Sequence, residues 1–195
     1  LCDKEHGLSD FLSLDARDRS LARAIVVSAL RHRNTIDAVL GKVMDRSPPK
    51  RARFLIHSLH IAISQILFLD VPETAAVDLA VTAIGDNSSS SRFRSLANAV
   101  LRRVVREREQ FLDSSFKVPA SMPPWLVSAL RRDYGKANLE KISRSLTTLP
   151  KLDLTVKADA EGWANRLGGV VLPTGSVRLE TGLPVFELEG FEDGD

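Results

Sequence analysis

One stretch of the sequence places polar side chains at a spacing that suits a polyanion. Residues three or four apart share a face of a helix. Within residues 91–110, four polar residues recur at every fourth position: Arg94, Asn98, Arg102 and Arg106. Arg103 and Arg108 widen this polar ridge. Guanidinium groups bind phosphate through several N–H donors at once, so the spacing predicts a surface for nucleic acid, the most common polyanionic partner.

The ridge also has an interpretation that needs no partner. Cations near the end of a helix favour the negative end of its dipole, and Glu107 and Glu109 can pair with neighbouring arginines in water. Arg92 and Arg94 differ, because a cation in the first turn opposes the dipole by about 0.3 to 1 kcal/mol. The first-turn arginines therefore indicate an external anion, whereas both interpretations stay open for residues 102–108.

Two other groups of cations lie at the predicted starts of helices. Lys50, Arg51 and Arg53 open a strongly apolar helix, where a nearby phosphate would offset the unfavourable dipole. Arg19 and Arg23 lie one turn apart near the start of the first helix. The complete set of predicted nucleic-acid contacts is Arg17, Arg19, Arg23, Lys50, Arg51, Arg53, Arg94, Asn98, Arg102, Arg103 and Arg106.

Five amphipathic helices are expected to position these cations. Asp15 is a suitable N-cap for the first. Its predicted inner face is Leu21, Ile25, Ser28 and Ala29. Asn34 or Thr35 is the predicted N-cap of a second helix that ends near residue 45. The third helix spans about 50–67, and the fourth runs from Pro72 to Gly85. The fifth is predicted as one continuous helix over 91–110, with the apolar stripe Phe93, Leu96, Ala97, Val100, Leu101, Val104 and Val105.

The character of the sequence changes after Phe111. Prolines at 119, 123 and 124 indicate a linker, and two short helices over 125–134 and 136–148 meet at Gly135. The second of these helices would turn Leu139, Ile142 and Leu146 inward. From Lys151 the apolar period becomes two, which predicts a strand over 152–156, followed by a helix over 161–167 and strands over 176–180 and 184–188. The domains predicted are an all-α bundle over 1–117, a linker with two short helices over 118–150, and the start of a small α+β domain over 151–195.

Composition is that of a globular protein with a core. The chain has 195 residues, 44% of them apolar, and a net charge of +2, with cations in excess up to Trp125 and carboxylates in excess beyond it. The sequence has no run of 18 apolar residues and does not start with a basic segment followed by an apolar one. We therefore expect neither a membrane span nor a signal peptide, and a cytoplasmic location. The single cysteine, Cys2, cannot form an internal disulfide.

Signatures of catalysis are missing from the sequence. It contains no G-x-G-x-x-G after a strand, no G-x-x-x-x-G-K and no H-E-x-x-H. His57 and His60 lie three residues apart, but no Cys, Asp or Glu stands at ligand spacing in the same helix, so core or surface histidines are favoured over a metal site. We therefore expect no catalytic, cofactor-binding or metal-binding residue in this chain.

Four segments taken together resemble the NusB fold: LDARDR at 14–19, ILFLDVP at 66–72, AAVDLAV at 75–81 and LANAVLRR at 96–103. This resemblance implies an all-α RNA-binding domain, with the cations above as its RNA contacts. Three further segments, PWL at 124–126, DYG at 133–135 and PKLDL at 150–154, extend it. With them the chain is similar to the amino-terminal half of the RsmB (Fmu/Sun) type of 16S rRNA cytosine-5 methyltransferase.

The resemblance implies more than the chain itself contains. The fold expected from it is mainly α, a NusB-like helical bundle followed by a small α+β, RRM-like subdomain. The family's catalytic half follows, binds S-adenosylmethionine and uses two cysteines, none of whose motifs occur here. The expected partners are ribosomal RNA and, in second place, ribosomal proteins.

Three functions remain to be distinguished. The first is the RNA-targeting part of an S-adenosylmethionine-dependent 16S rRNA (cytosine-5) methyltransferase. The alternative is a NusB-type transcription antitermination factor that binds RNA and a ribosomal protein, against which the segment after Pro124 argues, since a bundle alone would not require it. The third is a bundle that serves only as a scaffold for other proteins.

Overall fold

The computed structural model describes residues 13–46, 48–49, 51–113, 122–148, 150–179 and 185–191. Contacts within the chain divide it into two units, Leu1–Thr147 and Thr148–Asp195. The first is helical in its described part, and the second is a small α+β unit, which confirms the predicted fold class. The predicted domain boundaries after residues 117 and 150 remain predictions.

Helices account for the described part of the first unit. They are α1 (Ala16–Arg31), α2 (Arg33–Val43), α3 (Arg53–Phe68), α4 (Glu73–Asp86), a 3-10 turn (Ser91–Phe93), α5 (Arg94–Arg106), α6 (Arg108–Leu112) and α7 (Pro124–Thr147). Gly135 interrupts α7 with φ 73° and ψ 171°, a backbone conformation that favours glycine. The predicted break between two short helices therefore lies where the sequence indicated it.

The core of this unit is built around α3. Leu55, Leu59 and Ile63 are completely buried, and α1, α2, α4 and α5 all pack against this helix. Burial of each such side chain contributes about 1.5 to 3 kcal/mol. The buried residues of α2 are the four predicted from its apolar period, namely Ile36, Val39, Leu40 and Val43.

Some apolar residues predicted to face inward are exposed. Leu21 is 49% exposed, because α1 buries Ser28 and Ala29 in its second half and leaves its first turns off the core. Leu96 is 39% exposed at the margin of the α5 stripe, and Leu146 is 50% exposed near the end of α7. The prediction that these three leucines point inward is wrong. Periodicity shows which face of a helix is apolar, but not how far along or around the helix that face is buried.

Two helix starts test the capping predictions. Asp15 caps α1 as predicted, with the backbone N–H of Asp18 donating to its Oδ1 at 2.8 Å. The predicted N-cap of α2, Asn34 or Thr35, is wrong, because the N-cap is His32 and the helix begins at Arg33. The His32 ring stacks on Phe68 at a centroid distance of 3.8 Å, and this contact with α3 fixes the turn between α1 and α2.

The stretch over residues 91–110 is not one helix. It starts as a 3-10 turn and is interrupted at Glu107, whose backbone has φ −100° and ψ 15°. Beyond this interruption, Phe111 of α6 is a core residue with 5% exposure. The predicted continuous helix is therefore wrong, because burial of Phe111 outweighs a straight continuation of α5.

The second unit is a three-stranded antiparallel sheet with one helix. Its elements are β1 (Leu152–Leu154), α8 (Ala160–Leu167), β2 (Val170–Val171), β3 (Val177–Leu179) and a 3-10 turn (Val185–Glu187), and the strand order is β1-β3-β2. Trp163, Val177, Leu179 and Leu188 form its core. Arg178 and Asp153, paired across the strands, form a bidentate ion pair with both distances at 2.6 Å.

One predicted strand of this unit is wrong and one was missed. Residues 185–187 form a 3-10 turn instead of a strand, which brings Leu188 into the core beside Trp163. Gly190 has φ 82°, and a Cβ there would overlap the Trp163 ring. The missed strand, β2, has only two residues, too few to show a period.

Candidate nucleic-acid interface

The starts of α3 and α5 lie at the same end of the helical bundle. α3 and α4 pack together and are joined by residues 69–72, so they are antiparallel. The start of α3 therefore lies beside the last turn of α4. α5 follows α4 through the 3-10 turn, and its Arg94 side chain passes over Gly85, where an added Cβ would lie 3.0 Å from the Arg94 Cδ. We call this end, with Arg51, Arg53, Arg92 and Arg94, the arginine end.

The arginines of the arginine end are exposed to solvent. Within the described residues, none of the four forms an ion pair with a carboxylate, and the Arg92 guanidinium lies 4.7 Å above the ring of Phe93. Neither α3 nor α5 has an acidic residue in its first turn or, in the described part of the chain, a capping side chain. The positive ends of α3 and α5 and the four guanidinium groups therefore add to a positive potential at this end, which the negative end of α4 and Asp86 oppose.

The arginines in the last turn of α5 have partners within the protein. Arg103 Nε donates to Glu107 Oε1 at 2.9 Å, and Arg103 Nη1 donates to the carbonyl of Val43 at 3.4 Å. Arg106 Nη2 lies 3.5 Å from the same Glu107 oxygen. The hydrogen bond from Arg103 lowers the pKa of Glu107 most, with smaller contributions from the charges of both arginines. Arg103, a predicted nucleic-acid contact, thus holds α5 against α2.

Arg108, predicted to widen the polar ridge but not included among the nucleic-acid contacts, has a structural role. Its Nε donates to the carbonyl of Ile66 at 3.0 Å and lies 3.4 Å from Glu73 Oε1. The Ile66 carbonyl belongs to the last turn of α3, where no further helical N–H is available to it. Arg108 therefore closes the end of α3 and joins it to the start of α4.

The ridge predicted on α5 is present, although its members have different surroundings. Arg94, Arg102 and Arg106 are exposed, and Asn98 is half-buried. Arg102 Nε donates to Asn98 Oδ1 at 3.0 Å, which fixes the direction of that guanidinium. Arg102 and Arg106 also line a depression of about 480 Å³ between α4 and α5, together with Glu73, Asp78, Val77 and Val105.

The predicted contacts on α1 form a separate group. Arg17 and Arg23 are exposed and have no ion-pair partner among the described residues, while Arg19 is half-buried. Asp15 and Asp18 share the first turns with them, so this group is less purely cationic than the arginine end. Lys50, the remaining predicted contact, lies outside the described residues.

The two histidines considered as metal ligands have different surroundings. His60 is half-buried, and its Nε2 lies 2.9 Å from Asp37 Oδ1, out of line for a good hydrogen bond. Burial lowers the pKa of His60, an effect that outweighs the opposing influence of Asp37. His57 is exposed. Among the described residues, no group of three or more His, Cys, Asp or Glu side chains could hold a metal ion.

Sequence reasoning missed the carboxylates that face α5. Asp78 and Glu73 line the depression opposite Arg102 and Arg106. Asp78 is the single charge within the apolar segment AAVDLAV, and this isolation was the available signal.

The described helices also include none that is long and apolar enough to span a membrane.

The fold and the site define a class, an all-helical bundle with a cationic end followed by a small α+β unit. The chain belongs to the NusB family, which it matches over residues 3–106. This match ends with α5 and includes both helix starts of the arginine end.

Several bacteria have proteins that are similar to this chain and that share one name. The chain is 31% identical to ribosomal RNA small subunit methyltransferase B of Xanthomonas campestris pv. campestris, over 93% of this chain and 42% of that protein. It is 27% identical to the proteins of that name from Salmonella typhi and Escherichia coli O139:H28, over 91% of this chain and 44% of each. The chain thus spans less than half the length of these relatives.

Proposed function

We propose that this chain is the RNA-binding part of an S-adenosylmethionine-dependent 16S rRNA (cytosine-5) methyltransferase. The observation that carries this proposal is the arginine end, where four exposed arginines lie around two helix starts and form no ion pair with a carboxylate of the described chain. Ribosomal RNA is the partner that would place phosphates against this surface.

The energetics of the arginine end favour an anion from outside the protein. A cation in the first turn of a helix costs about 0.3 to 1 kcal/mol when nothing balances it. A phosphate at the same place reverses the sign, because backbone N–H groups and guanidinium groups then point at one negative charge. Binding of a phosphate would thus offset the unfavourable interaction between the arginines and the helix dipoles in the free protein.

The relatives support the rRNA methyltransferase part of the proposal through their names. Their greater length supports a location outside this chain for the methyl-transfer chemistry. S-adenosylmethionine supplies the methyl group of such a reaction, but the residues present do not fit it. The sequence has no G-x-G-x-x-G after a strand, and the described sheet is antiparallel with strands of two or three residues. We assign no catalytic step to residues of this chain.

The NusB family match favours a second candidate, an antitermination factor that binds RNA and a ribosomal protein. The α+β unit and the names of the longer relatives favour the methyltransferase. A pull-down from ribosome-free extract separates the two. Stoichiometric recovery of one ribosomal protein would support the antitermination factor, and recovery of 16S rRNA without such a protein would support the methyltransferase part.

The proposal predicts that reversing the arginine end abolishes tight RNA binding. The test compares the wild-type chain with R51E/R53E/R94E on a labelled 16S rRNA fragment by fluorescence anisotropy. Affinity should fall at least about 100-fold, since each hydrogen bond to a charged group contributes about 1.5 kcal/mol or more. The matched control R131E/K136E/K141E makes the same change in charge on exposed residues of α7.

The control decides whether location or net charge matters. We expect the α7 variant to bind within about 5-fold of wild type, because salt screens charges that lie beyond about 10 Å from the phosphates. Equal losses in both variants would show a general charge effect. Wild-type affinity in the arginine-end variant would contradict the proposal.

A further inference from the structure

The depression between α4 and α5 has the size and chemistry of a nucleotide site. Its volume of about 480 Å³ falls within the range of about 300 to 1,000 Å³ typical of small-molecule sites. Val77 and Val105 form an apolar floor, with Val77 5% exposed and Val105 packed against the core. Carboxylates of α4 face guanidinium groups of α5 across this floor. Such a surface can cover a flat base and bind polar groups at both ends.

The two carboxylates are not equally available. Glu73 lies 3.4 Å from the Arg108 guanidinium and is engaged there. Asp78 is exposed and has no ion-pair partner among the described residues. An exposed carboxylate has two acceptor oxygens and no donor. Asp78 is therefore the group that can select among bases.

A carboxylate distinguishes guanine from the other three bases. Guanine presents two adjacent donors, N1–H and N2–H, which match both carboxylate oxygens. Adenine and cytosine place a ring acceptor beside their amino group, and uracil has acceptors on both sides of N3–H, so each would turn a lone pair toward Asp78. These edges are accessible only in an unpaired nucleotide, which is how proteins recognise RNA sequence.

The guanidinium groups complete the site. Arg102 uses Nε on Asn98, which leaves its Nη groups for a phosphate. The Arg106 side chain is 71% exposed, and its contact with Glu107 is a long one, at 3.5 Å from one carboxylate oxygen. Arg106 can therefore reach the same phosphate. We propose that this depression binds one unpaired guanosine nucleotide of the RNA, with the base against Val77 and Val105, its Watson–Crick edge on Asp78 and its phosphate on Arg102 and Arg106. This inference rests on the proposed RNA-binding function.

The experiment uses four RNA hairpins that differ only in one unpaired nucleotide, G, A, C or U. Anisotropy at about 0.15 M salt gives four affinities for the wild-type chain, for D78N and for D86N. We expect the G hairpin to bind about 5- to 100-fold tighter than the others, the discrimination typical of a bidentate contact to a base. D78N should lose this preference, because an amide offers one acceptor and one donor.

The control D86N removes the same charge from an exposed position at the end of α4. It should keep the preference for G, even if all four affinities rise together. Equal affinity of the wild type for the four hairpins would overturn the guanosine site and favour a protein segment as the occupant of the depression. If this equal binding still weakened with salt, the proposed RNA-binding function would stand. A preference retained in D78N would also overturn it. No binding of any hairpin at low salt would overturn the proposed function as well.

Discussion

The arginines of the arginine end and the arginines at the junction of α5 and α6 differ in their partners, although they share a residue type. Arg51, Arg53 and Arg94 are exposed and form no ion pair with a carboxylate of the described chain. Arg103 and Arg108 donate to backbone carbonyls of α2 and α3 and pair with glutamates. The first set is available to a partner, whereas the second holds helices together.

This difference teaches that a basic patch is defined by pairing as much as by composition. An arginine whose donors are occupied by Glu107 or a helix-terminal carbonyl must lose those bonds before it binds phosphate, at about 0.5 to 1.5 kcal/mol for each. An arginine at an uncapped helix start gains stability when the phosphate arrives. The two sets should therefore respond oppositely to mutation.

The largest effect on stability is expected for Arg108→Ala. This change leaves the Ile66 carbonyl and Glu73 without their donor, and we expect the free energy of unfolding to fall by about 1.5 to 3 kcal/mol. The matched control Arg94→Ala removes an opposing cation from the first turn of α5, so it should raise the free energy of unfolding by less than about 1 kcal/mol. Urea denaturation of both variants measures the difference. Similar destabilisation by the two substitutions would remove the distinction between the two sets.

A smaller effect is expected from the pH dependence of the Glu107 pair. Arg103 holds the pKa of Glu107 below its ordinary value of 4.5, so the pair contributes stability that is present above pH 4.5. The unfolded chain takes up the proton first as the pH falls, and this stability is lost between pH 4.5 and the lower folded pKa. The melting temperature of the wild type should exceed that of Glu107→Gln at pH 7, and the gap should shrink below pH 4.5. A gap that does not change with pH would assign Glu107 a role other than its charge.

Much of the fold could be predicted from the sequence, because apolar periods decide which residues are buried. The four buried residues of α2 and the break at Gly135 follow directly from local patterns. The interruption at Glu107 could not be predicted in this way. It depends on Phe111 joining the core and on Arg108 reaching a carbonyl 42 positions earlier in the chain, which are tertiary contacts.

The candidate site shows the same limit. The cations at the helix starts could be identified because their position conflicts with the helix dipole, a local property. The engagement of Arg103 could be anticipated only in part. Glu107 lies one turn away, but the Val43 carbonyl lies 60 positions earlier. The depression between α4 and α5 needs two helices to be placed side by side, which no single segment of sequence reveals.

The most direct test of the central claim is the salt dependence of RNA binding in two neutralised variants. R51Q/R53Q/R94Q removes three arginines of the arginine end, and R103Q/R108Q removes the two arginines that donate to backbone carbonyls, with circular dichroism to confirm that both variants are folded. The slope of log affinity against log salt should become shallower by about 2 to 3 in the first variant, since each phosphate contact contributes about 0.7 to 0.9. It should stay close to the wild-type slope in the second. A wild-type slope in the first variant, or an equal loss of slope in both, would contradict the account.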